Sequence, residues 1–340
     1  MSTPETIGTL PTGEEVHRHT LSGAGRLQVL DLGGMAMSYW LDAEDPETEV
    51  LVGFDDLTEA LAALDDAYFG AIVGRYANRL GESRFEIDGV QYTTTANEND
   101  TTLHGGAEGF SHRIWQATRV TQHSLELELT SPDGDQGFPG TVQARARYEL
   151  LEDGFALALS ATTDAPTPMC LTSHLYLNLA GGGTIDNHIV QVHGERIVPI
   201  DEASIPTGPP VPVEGTPFDL RQPTTIGERV RTPHEQVLLA RGIDHSYDLH
   251  GEGLREVARV HDPLSGRSLS LVADAPALQV YTGNFLNGTL HCRGRLLRQG
   301  DAMALEPDVH PDSPNQLWAD DAVLRPGEQW NSRIEWHFTA

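Results

Sequence analysis

Apolar and polar residues alternate through much of the chain, with the period of a half-buried strand. The alternation is clearest in RLQVLDL (26–32), SRFEIDGVQYTTT (83–95), SLELELT (124–130), TVQARARYEL (141–150) and FALALSATT (155–163). Turn signals rich in Gly, Asp and Pro, such as PDGDQGFPG and EDG, separate these stretches. Many short strands joined by such turns predict an all-β fold, either a sandwich or a barrel.

Only DLTEALAALDDAYFG (56–70) has a convincing helical period, with Asp56 as a candidate cap and Leu57, Leu61 and Leu64 on one face. The Pro-rich stretch 204–220 is patterned with Thr, Phe and Asp, so we interpret it as an ordered surface loop rather than a linker. The chain shows no repeat of fixed period. We therefore expect one domain over residues 1–340.

The chain has 50 acidic and 22 basic residues, for a formal net charge of −28. This charge repels nucleic-acid phosphates and anionic lipid, so neither is an expected partner. Every basic residue is an arginine, which excludes catalysis through a lysine Schiff base.

Residues 1–20 lack the basic start and apolar run of a signal peptide, and no stretch reaches the roughly 18 apolar residues of a membrane span. We expect a cytoplasmic protein in which Cys170 and Cys292 are reduced thiols. The sequence has no phosphate loop, no Cys/His cluster and no dinucleotide fingerprint, so we expect no cofactor and no metal. It gives no signal for the oligomeric state.

The stretch LTSHLYLNL (171–179) carries a sharper signal. In a strand, His174, Tyr176 and Asn178 would share one face and three leucines the other. A face of His, Tyr and Asn is poor core material. We interpret it as the lining of a pocket.

The stretch AMALEPDVHPDSPNQ (302–316) repeats the pattern with Glu306, Asp308 and His310. Two carboxylates about 7 Å apart on one strand face would raise each other's pKa, which favours a general base. An alternative is a solvent-facing edge strand, which Pro307 supports because proline belongs at edges. A metal site built from the same Glu, Asp and His is a further alternative.

Several other polar residues have side chains suited to hydrogen bonds with the hydroxyl groups of a sugar. Asn78 and Arg79 in GRYANRL (74–80) offer an amide and a fork of donors for neighbouring hydroxyls, although a surface arginine paired with an acid fits equally. In TTLHGG (101–106), His104 precedes two glycines that permit a sharp turn beside a pocket, or it is satisfied by a loop carbonyl. Asp244 and Gln279 add weaker candidates for hydroxyl binding.

Taken in order, the stretches resemble the aldose 1-epimerase (galactose mutarotase) family over nearly the whole chain. The matching stretches are YFGAIVGRYANRL, NENDTTLHGG, DGDQGFPG, SHLYLNL, PTGPPVPVEGTPFDLR, GIDHSYDL, LQVYTGNFL and LEPDVHPDSPNQ. The resemblance implies a large antiparallel β-sandwich of the galactose mutarotase-like supersandwich type. It implies a general-acid histidine at His174 and a general-base glutamate at Glu306. The implied sugar-binding residues are Asn78, Arg79, His104, Tyr176, Asp244 and Gln279.

The chain departs from the family pattern at two positions. Asp308 stands where the family usually has glutamine, and we expect it to affect substrate preference and the base. Leu177 stands where an aromatic residue is common, and there we expect only a packing change.

The implied activity interconverts the α and β anomers of a free aldose such as glucose or galactose by general acid and base catalysis, so a monosaccharide is the expected partner. Three alternatives remain open. One is a sugar-binding protein without turnover, and another is a sugar-phosphate epimerase. The third is a glycoside hydrolase that uses Glu306 with Asp308 or Asp244.

Overall fold

The computed structural model describes residues 4–319 and 322–340, and short strands dominate this part of the chain. The strands that precede the middle of the chain are β1 Glu5–Thr9, β2 Glu15–Ser22, β3 Arg26–Leu30, β4 Ala36–Trp40, β5 Ile72–Val73, β6 Arg79–Leu80, β7 Arg84–Ile87, β8 Val90–Thr93, β9 Thr102–Leu103, β10 Gln116–Val120, β11 Ser124–Ser131, β12 Val142–Leu150, β13 Gly154–Thr163 and β14 Thr167–Pro168. The later strands are β15 Thr172–Ser173, β16 Tyr176–Leu177, β17 Ile189–Val192, β18 Gly194–Ile197, β19 Val211–Pro212, β20 Thr224–Thr225, β21 Asp244–Leu249, β22 Arg255–His261, β23 Ser268–Ala273, β24 Ala277–Tyr281, β25 Asn287–Cys292, β26 Arg295–Arg298, β27 Met303–Asp308, β28 Val323–Leu324 and β29 Trp330–Thr339. The helices are α1 Leu57–Ala67, α2 Ile226–Arg229 and α3 Glu235–Ala240.

Two large antiparallel sheets form the body of the fold. The nine-stranded sheet has the order β10-β11-β12-β13-β29-β23-β22-β17-β20, and the six-stranded sheet has the order β16-β27-β24-β21-β18-β19. One apolar core joins them, because Leu157 and Trp336 of the larger sheet belong to the same buried cluster as Leu278 and Leu305 of the smaller one. The prediction of an all-β antiparallel sandwich is confirmed.

The alternating stretches form strands where the sequence predicts them. In β12, buried and exposed residues alternate from Val142 to Tyr148, as a strand with one face on the core requires. The stretch 83–95 is a hairpin, β7 and β8, because Asp88 and Gly89 both have positive φ and make a tight turn.

Helix α1 confirms the helical prediction. The Asp56 carboxylate accepts a hydrogen bond from the Glu59 N–H at 2.9 Å, and Leu57 and Leu64 are buried. Helices α2 and α3 are not predicted, because four and six residues are too few to show a helical period.

The Pro-rich stretch 204–220 is ordered. It buries Val213, Phe218 and Leu220, and the Tyr247 hydroxyl donates to the Phe218 carbonyl oxygen at 2.9 Å. Residues 1–3 of the N-terminal stretch lie outside the described residues, and much of the remainder forms β1 and β2. No helix in the described ranges is long and apolar enough to cross a membrane. Both cysteines are free and buried.

Candidate active site

A cavity of about 270 Å³ opens over one face of the six-stranded sheet. Strands β16, β21, β24 and β27 supply its floor, and the end of α1 and the loops around β6 and β9 supply its walls. It is lined by Asp66, Ala67, Tyr68, Asn78, Arg79, Glu98, Leu103, His104, His174, Tyr176, Asp244, Gln279, Tyr281, Phe285, Leu286, Asn287, Thr289, Leu290 and Glu306. Nine residues were assigned from the sequence to catalysis or to sugar binding, and eight of them are among the lining residues; Asp308 is not.

Three floor residues are placed by strand register. Gln279 of β24 lies directly opposite Glu306 of β27. On its other side, the Gln279 amide donates to the Asp244 carboxylate at 2.7 Å. Asp244 and Gln279 therefore form one hydrogen-bonded unit beside Glu306, and their free lone pairs and protons suit sugar hydroxyl groups.

His174 lies in the gap between β15 and β16. Its backbone N–H donates to the Ala71 carbonyl oxygen at 2.9 Å, and its own carbonyl oxygen accepts from the Gly70 N–H at 2.8 Å. Its ring stacks on Tyr176 with centroids 4.9 Å apart. These contacts hold the imidazole with Nε2 only 3.7 Å from Glu306 Oε1, and Nδ1 has no hydrogen-bond partner in the described part of the chain.

His104 lies beside His174, with ring centroids 5.3 Å apart, and the loop geometry sets its tautomer. Its Nδ1 accepts a hydrogen bond from the Asn78 N–H at 3.1 Å, so the proton of the neutral ring is on Nε2. Gly105 has φ +89° and would place a Cβ 2.0 Å from the Gly74 carbonyl oxygen, so only glycine fits after this histidine. The loop therefore satisfies Nδ1 of His104, and the Nε2–H group on the other side of the ring can donate a hydrogen bond.

Arg79 forms a buried ion pair with Glu98, a partner that the sequence does not identify. Its Nε donates to Glu98 Oε2 at 2.5 Å and its Nη2 donates to Oε1 at 2.9 Å, in bidentate geometry. The arginine is paired with an acid, as the alternative interpretation proposed, but its side chain is only 11% exposed and lines the cavity.

Burial dominates the electrostatics of the site. It raises the pKa of Glu306 well above its ordinary value, and the nearby Asp308 and Asp244 carboxyls raise it further while Arg79 opposes them. Burial lowers the pKa of His174 to about 4. Burial, with His174 and Arg79, also lowers the pKa of His104 well below its usual range. At neutral pH His174 is therefore a neutral imidazole, and it lies beside a carboxyl that holds its proton more tightly than usual.

Ligand atoms of His104, His174 and Glu306 lie within 4.8 Å of one another, the spacing of a possible metal site. However, His104 Nε2 carries the ring proton, and a metal needs that nitrogen deprotonated. This chemistry suits hydroxyl groups better than a cation.

Several predicted pocket residues lie elsewhere. The Asn178 amide donates to the Gly183 and Asp301 carbonyl oxygens, so it holds a loop and does not line the cavity. His310 Nδ1 is hydrogen-bonded to the Ser246 hydroxyl at 2.9 Å, away from the Glu, Asp, His metal site considered from the sequence.

Asp308 is buried but stands outside the lining, so the expectation that it meets the sugar is not supported by its position. Strand β27 is buried throughout, which overturns the solvent-facing alternative. Pro307 is tolerated because β16 pairs only with Met303 and Ala304 of this strand.

Sequence reasoning missed Tyr68, Glu98, Tyr281 and Phe285 in the lining. Tyr68 follows α1 in the left-handed conformation, and its ring contacts His104 at 4.6 Å. All four lie within the stretches YFGAIVGRYANRL, NENDTTLHGG and LQVYTGNFL, but the sequence analysis gave none of them a role.

Comparison with known proteins bears on this geometry. The family model for aldose 1-epimerase matches residues 17–337. The chain belongs to the aldose 1-epimerase family. It is 37% identical to galactose mutarotase of Rattus norvegicus over 304 residues, covering 88% of this chain and 86% of the relative. It is 38% identical to aldose 1-epimerase of Escherichia coli (strain K12) over 280 residues, covering 81% of each.

Solved structures of the family share the fold. The galactose 1-epimerase structure from Lactobacillus acidophilus NCFM superposes with a TM-score of 0.88 at 25% identity and covers 99% of this chain and 98% of its own. An aldose epimerase homologue from C. elegans gives a TM-score of 0.85 at 26% identity, with coverage of 95% and 99%. As a member of this family, the chain is an isomerase.

Proposed function

We propose that the cavity binds a free aldohexose, such as galactose or glucose, and interconverts its α and β anomers with Glu306 and His174. The observation that carries this proposal is the buried His174–Glu306 pair, 3.7 Å apart, in a cavity that many hydrogen-bonding side chains also line. Family membership and the names of the relatives support the same reaction.

The reaction requires one proton to leave the anomeric hydroxyl and one to reach the ring oxygen. We assign the first transfer to Glu306 as base and the second to His174 as acid, with the roles reversed when the ring closes. Each transfer contributes about 10²- to 10⁴-fold. The open-chain aldehyde turns about its first carbon bond between the two transfers, which exchanges the anomers.

A proton shared by this pair favours Glu306 over His174, because burial raises the pKa of the carboxyl and lowers that of the imidazole. A sugar hydroxyl that donates to the Glu306 carboxylate stabilises the charged form, and the proton then passes to His174. Binding thereby prepares the acid and the base together.

Other lining residues hold the sugar in the proposed complex. The Asp244–Gln279 unit accepts and donates at one side of the ring, and Arg79, Asn78 and His104 donate from the other. Tyr176 packs against His174 and keeps the imidazole plane fixed. Because Asp308 does not line the cavity, we leave it out of this binding set.

Polarimetry of freshly dissolved α-glucose and α-galactose tests the proposal. The wild-type protein should accelerate relaxation above the spontaneous rate in the same buffer. Glu306→Gln and His174→Ala should each reduce kcat by about 10²-fold or more. A matched control is Glu256→Gln, since Glu256 pairs with His193 at 3.0 Å on the protein surface, and this variant should retain full activity.

The outcomes separate the alternatives. No acceleration by the folded wild-type protein, combined with sugar binding in calorimetry, would identify a sugar-binding protein instead. Release of reducing sugar from an aryl glycoside would identify a hydrolase.

The cytoplasmic location and the single domain over 1–340 remain proposals. The two buried free thiols support the first, because reduced cysteines are the rule in that compartment.

A further inference from the structure

Asp308 is a second buried carboxyl beside the proposed base. Glu306 and Asp308 occupy alternate positions of β27, so they share one face of the strand about 7 Å apart along it. Asp308 is 4% exposed, and its Oδ1 has no hydrogen-bond partner in the described part of the chain. Burying a carboxyl group that lacks a hydrogen-bond partner or a counter-ion costs free energy, so the presence of Asp308 here suggests a functional role.

The surroundings of Asp308 offer no positive charge. Across the sheet it faces Ala277, whereas Glu306 faces Gln279. The Asp308 carboxyl also acts on the Cys170 thiol and helps to raise its pKa. None of the described arginine or histidine side chains forms an ion pair with it. His310, the next histidine along the chain, is directed to Ser246 and Asp248 instead.

Glu306, by contrast, is surrounded by groups of both signs. The charged or titratable groups that act on it from other elements are Asp244 of β21, Arg79 of β6, His174, Tyr176 of β16 and Tyr281 of β24. Arg79 is itself paired with Glu98. None of the ion pairs among the described residues joins a cation to Asp308, so its carboxyl has no direct counter-ion that would weaken its effect on Glu306.

We propose that Asp308 is a positioning residue that acts through Glu306: its buried carboxyl, on the same strand face, keeps Glu306 a stronger base and sets the pH range of turnover. This inference rests on the proposed function, because it assigns Glu306 the role of base. An ionised Asp308 makes the Glu306 carboxylate hold a proton more tightly, so the effect operates at pH values where Asp308, whose own pKa burial raises, has lost its proton. A base whose proton affinity lies nearer neutrality transfers protons more effectively at physiological pH.

The test is the pH dependence of kcat for wild type and Asp308→Asn, a change that keeps the shape and removes the charge. Activity falls at low pH as Glu306 becomes protonated. In Asp308→Asn, the pH at which kcat falls to half its plateau value on the acidic side should decrease by about one unit. The plateau value of kcat should itself fall about threefold, because Glu306 is then a weaker base. KM should change less than twofold, because Asp308 does not line the cavity.

Asp301→Asn is the matched control. Asp301 is also buried and also has an Oδ1 without a partner in the described ranges, but its Oδ2 is paired with Arg298 and it lies outside the cavity. Its variant should keep the wild-type pH profile. Asp308→Gln, which restores the residue usual in the family, serves as a second variant if the asparagine protein folds poorly.

Thermal unfolding gives a reading that does not depend on activity. A carboxyl with a raised pKa in the folded state costs stability as pH rises above its ordinary value of about 3.9. The melting temperature of Asp308→Asn should therefore match that of wild type near pH 4 and exceed it near pH 7.

The outcomes are distinct from those for the proposed function. An active wild type whose acidic limb is unchanged in both Asp308 variants overturns the inference and leaves the epimerase proposal intact. An inactive wild type overturns the epimerase proposal, and the inference with it. Equal shifts in Asp308→Asn and Asp301→Asn also overturn the inference, because they would reflect a general effect of burial.

Discussion

The Arg79–Glu98 pair allows a quantitative prediction about the cavity wall. Glu98→Gln keeps the side-chain shape but removes the charge and replaces one acceptor oxygen with an amide that cannot accept. Arg79 then loses one of its two hydrogen bonds to a carboxylate, 2.5 and 2.9 Å long in the native protein. A hydrogen bond to a charged group contributes about 1.5 to 3 kcal/mol. Because the Glu98 side chain is 33% exposed, we take the lower figure.

That loss has two measurable effects. Unfolding entropy of about 2.1 cal/mol/K per residue over 340 residues converts 1.5 kcal/mol into a fall in Tm of about 2 °C. The freed guanidinium also turns toward Asp244 and Glu306, the next carboxyls whose charges act on it. A sugar must then displace it, which raises KM by up to about tenfold, since 1.4 kcal/mol is a factor of ten.

The assay is polarimetry across sugar concentrations, with calorimetric melting of the same samples. At saturating sugar, kcat should remain within about threefold of wild type, because Arg79 is again displaced from the carboxyls. The control is Glu82→Gln, which removes the partner of Arg84 in an exposed surface pair and should change neither KM nor Tm. A lower Tm with unchanged KM would refute the reasoning, because it would show that Arg79 keeps its place without Glu98.

Three further predictions concern the site and the scaffold. Asp244→Ala and Gln279→Ala should raise KM more than they lower kcat, because these residues bind hydroxyl groups and transfer no proton in the reaction. Polarimetry measures both constants. A fall in kcat as large as that of His174→Ala would contradict the assignment of these two residues to binding. Asp56→Ala should lower the free energy of unfolding by about 1 kcal/mol, because it removes the N-terminal cap of α1. Denaturant titration measures this change. An unchanged denaturation midpoint would show that the cap does not stabilise the protein. Neither Cys170 nor Cys292 should react with a thiol reagent at pH 8 before the protein unfolds. Burial raises the pKa of Cys292 to about 11 and that of Cys170 further, so few thiolates are present. Rapid labelling of the native protein would contradict the burial of these thiols.

The alternating pattern predicted only some of the strands, for a physical reason. Strand β12 has one face on the core and one toward solvent, so its sequence alternates and is readily recognised. Strands β24 and β27 are buried at every residue, so alternation there cannot come from contact with water. In these strands the polar residues Gln279 and Glu306 stood out because their types are unusual in a core.

The cavity itself could be predicted only in part. His174 and Glu306 were identified by residue type and spacing within single stretches. Glu98 was not, because its role depends on Arg79, nineteen residues earlier, and the contact forms only when β6 pairs with β9. Asp308 was placed correctly on the face of Glu306, but strand spacing cannot tell how far the cavity extends along that face.

The position of β29 in the nine-stranded sheet has a consequence for biosynthesis. This strand lies between β13 and β23, yet the ribosome makes it after the other eight strands of the sheet. Until then the nascent chain holds two half-sheets, each with an unpaired edge that can recruit a strand from a neighbouring chain. The sheet can close only when residues 330–339 leave the exit tunnel, so folding is completed after synthesis of this segment. Newly made chains should therefore depend on chaperones most strongly before this strand is available.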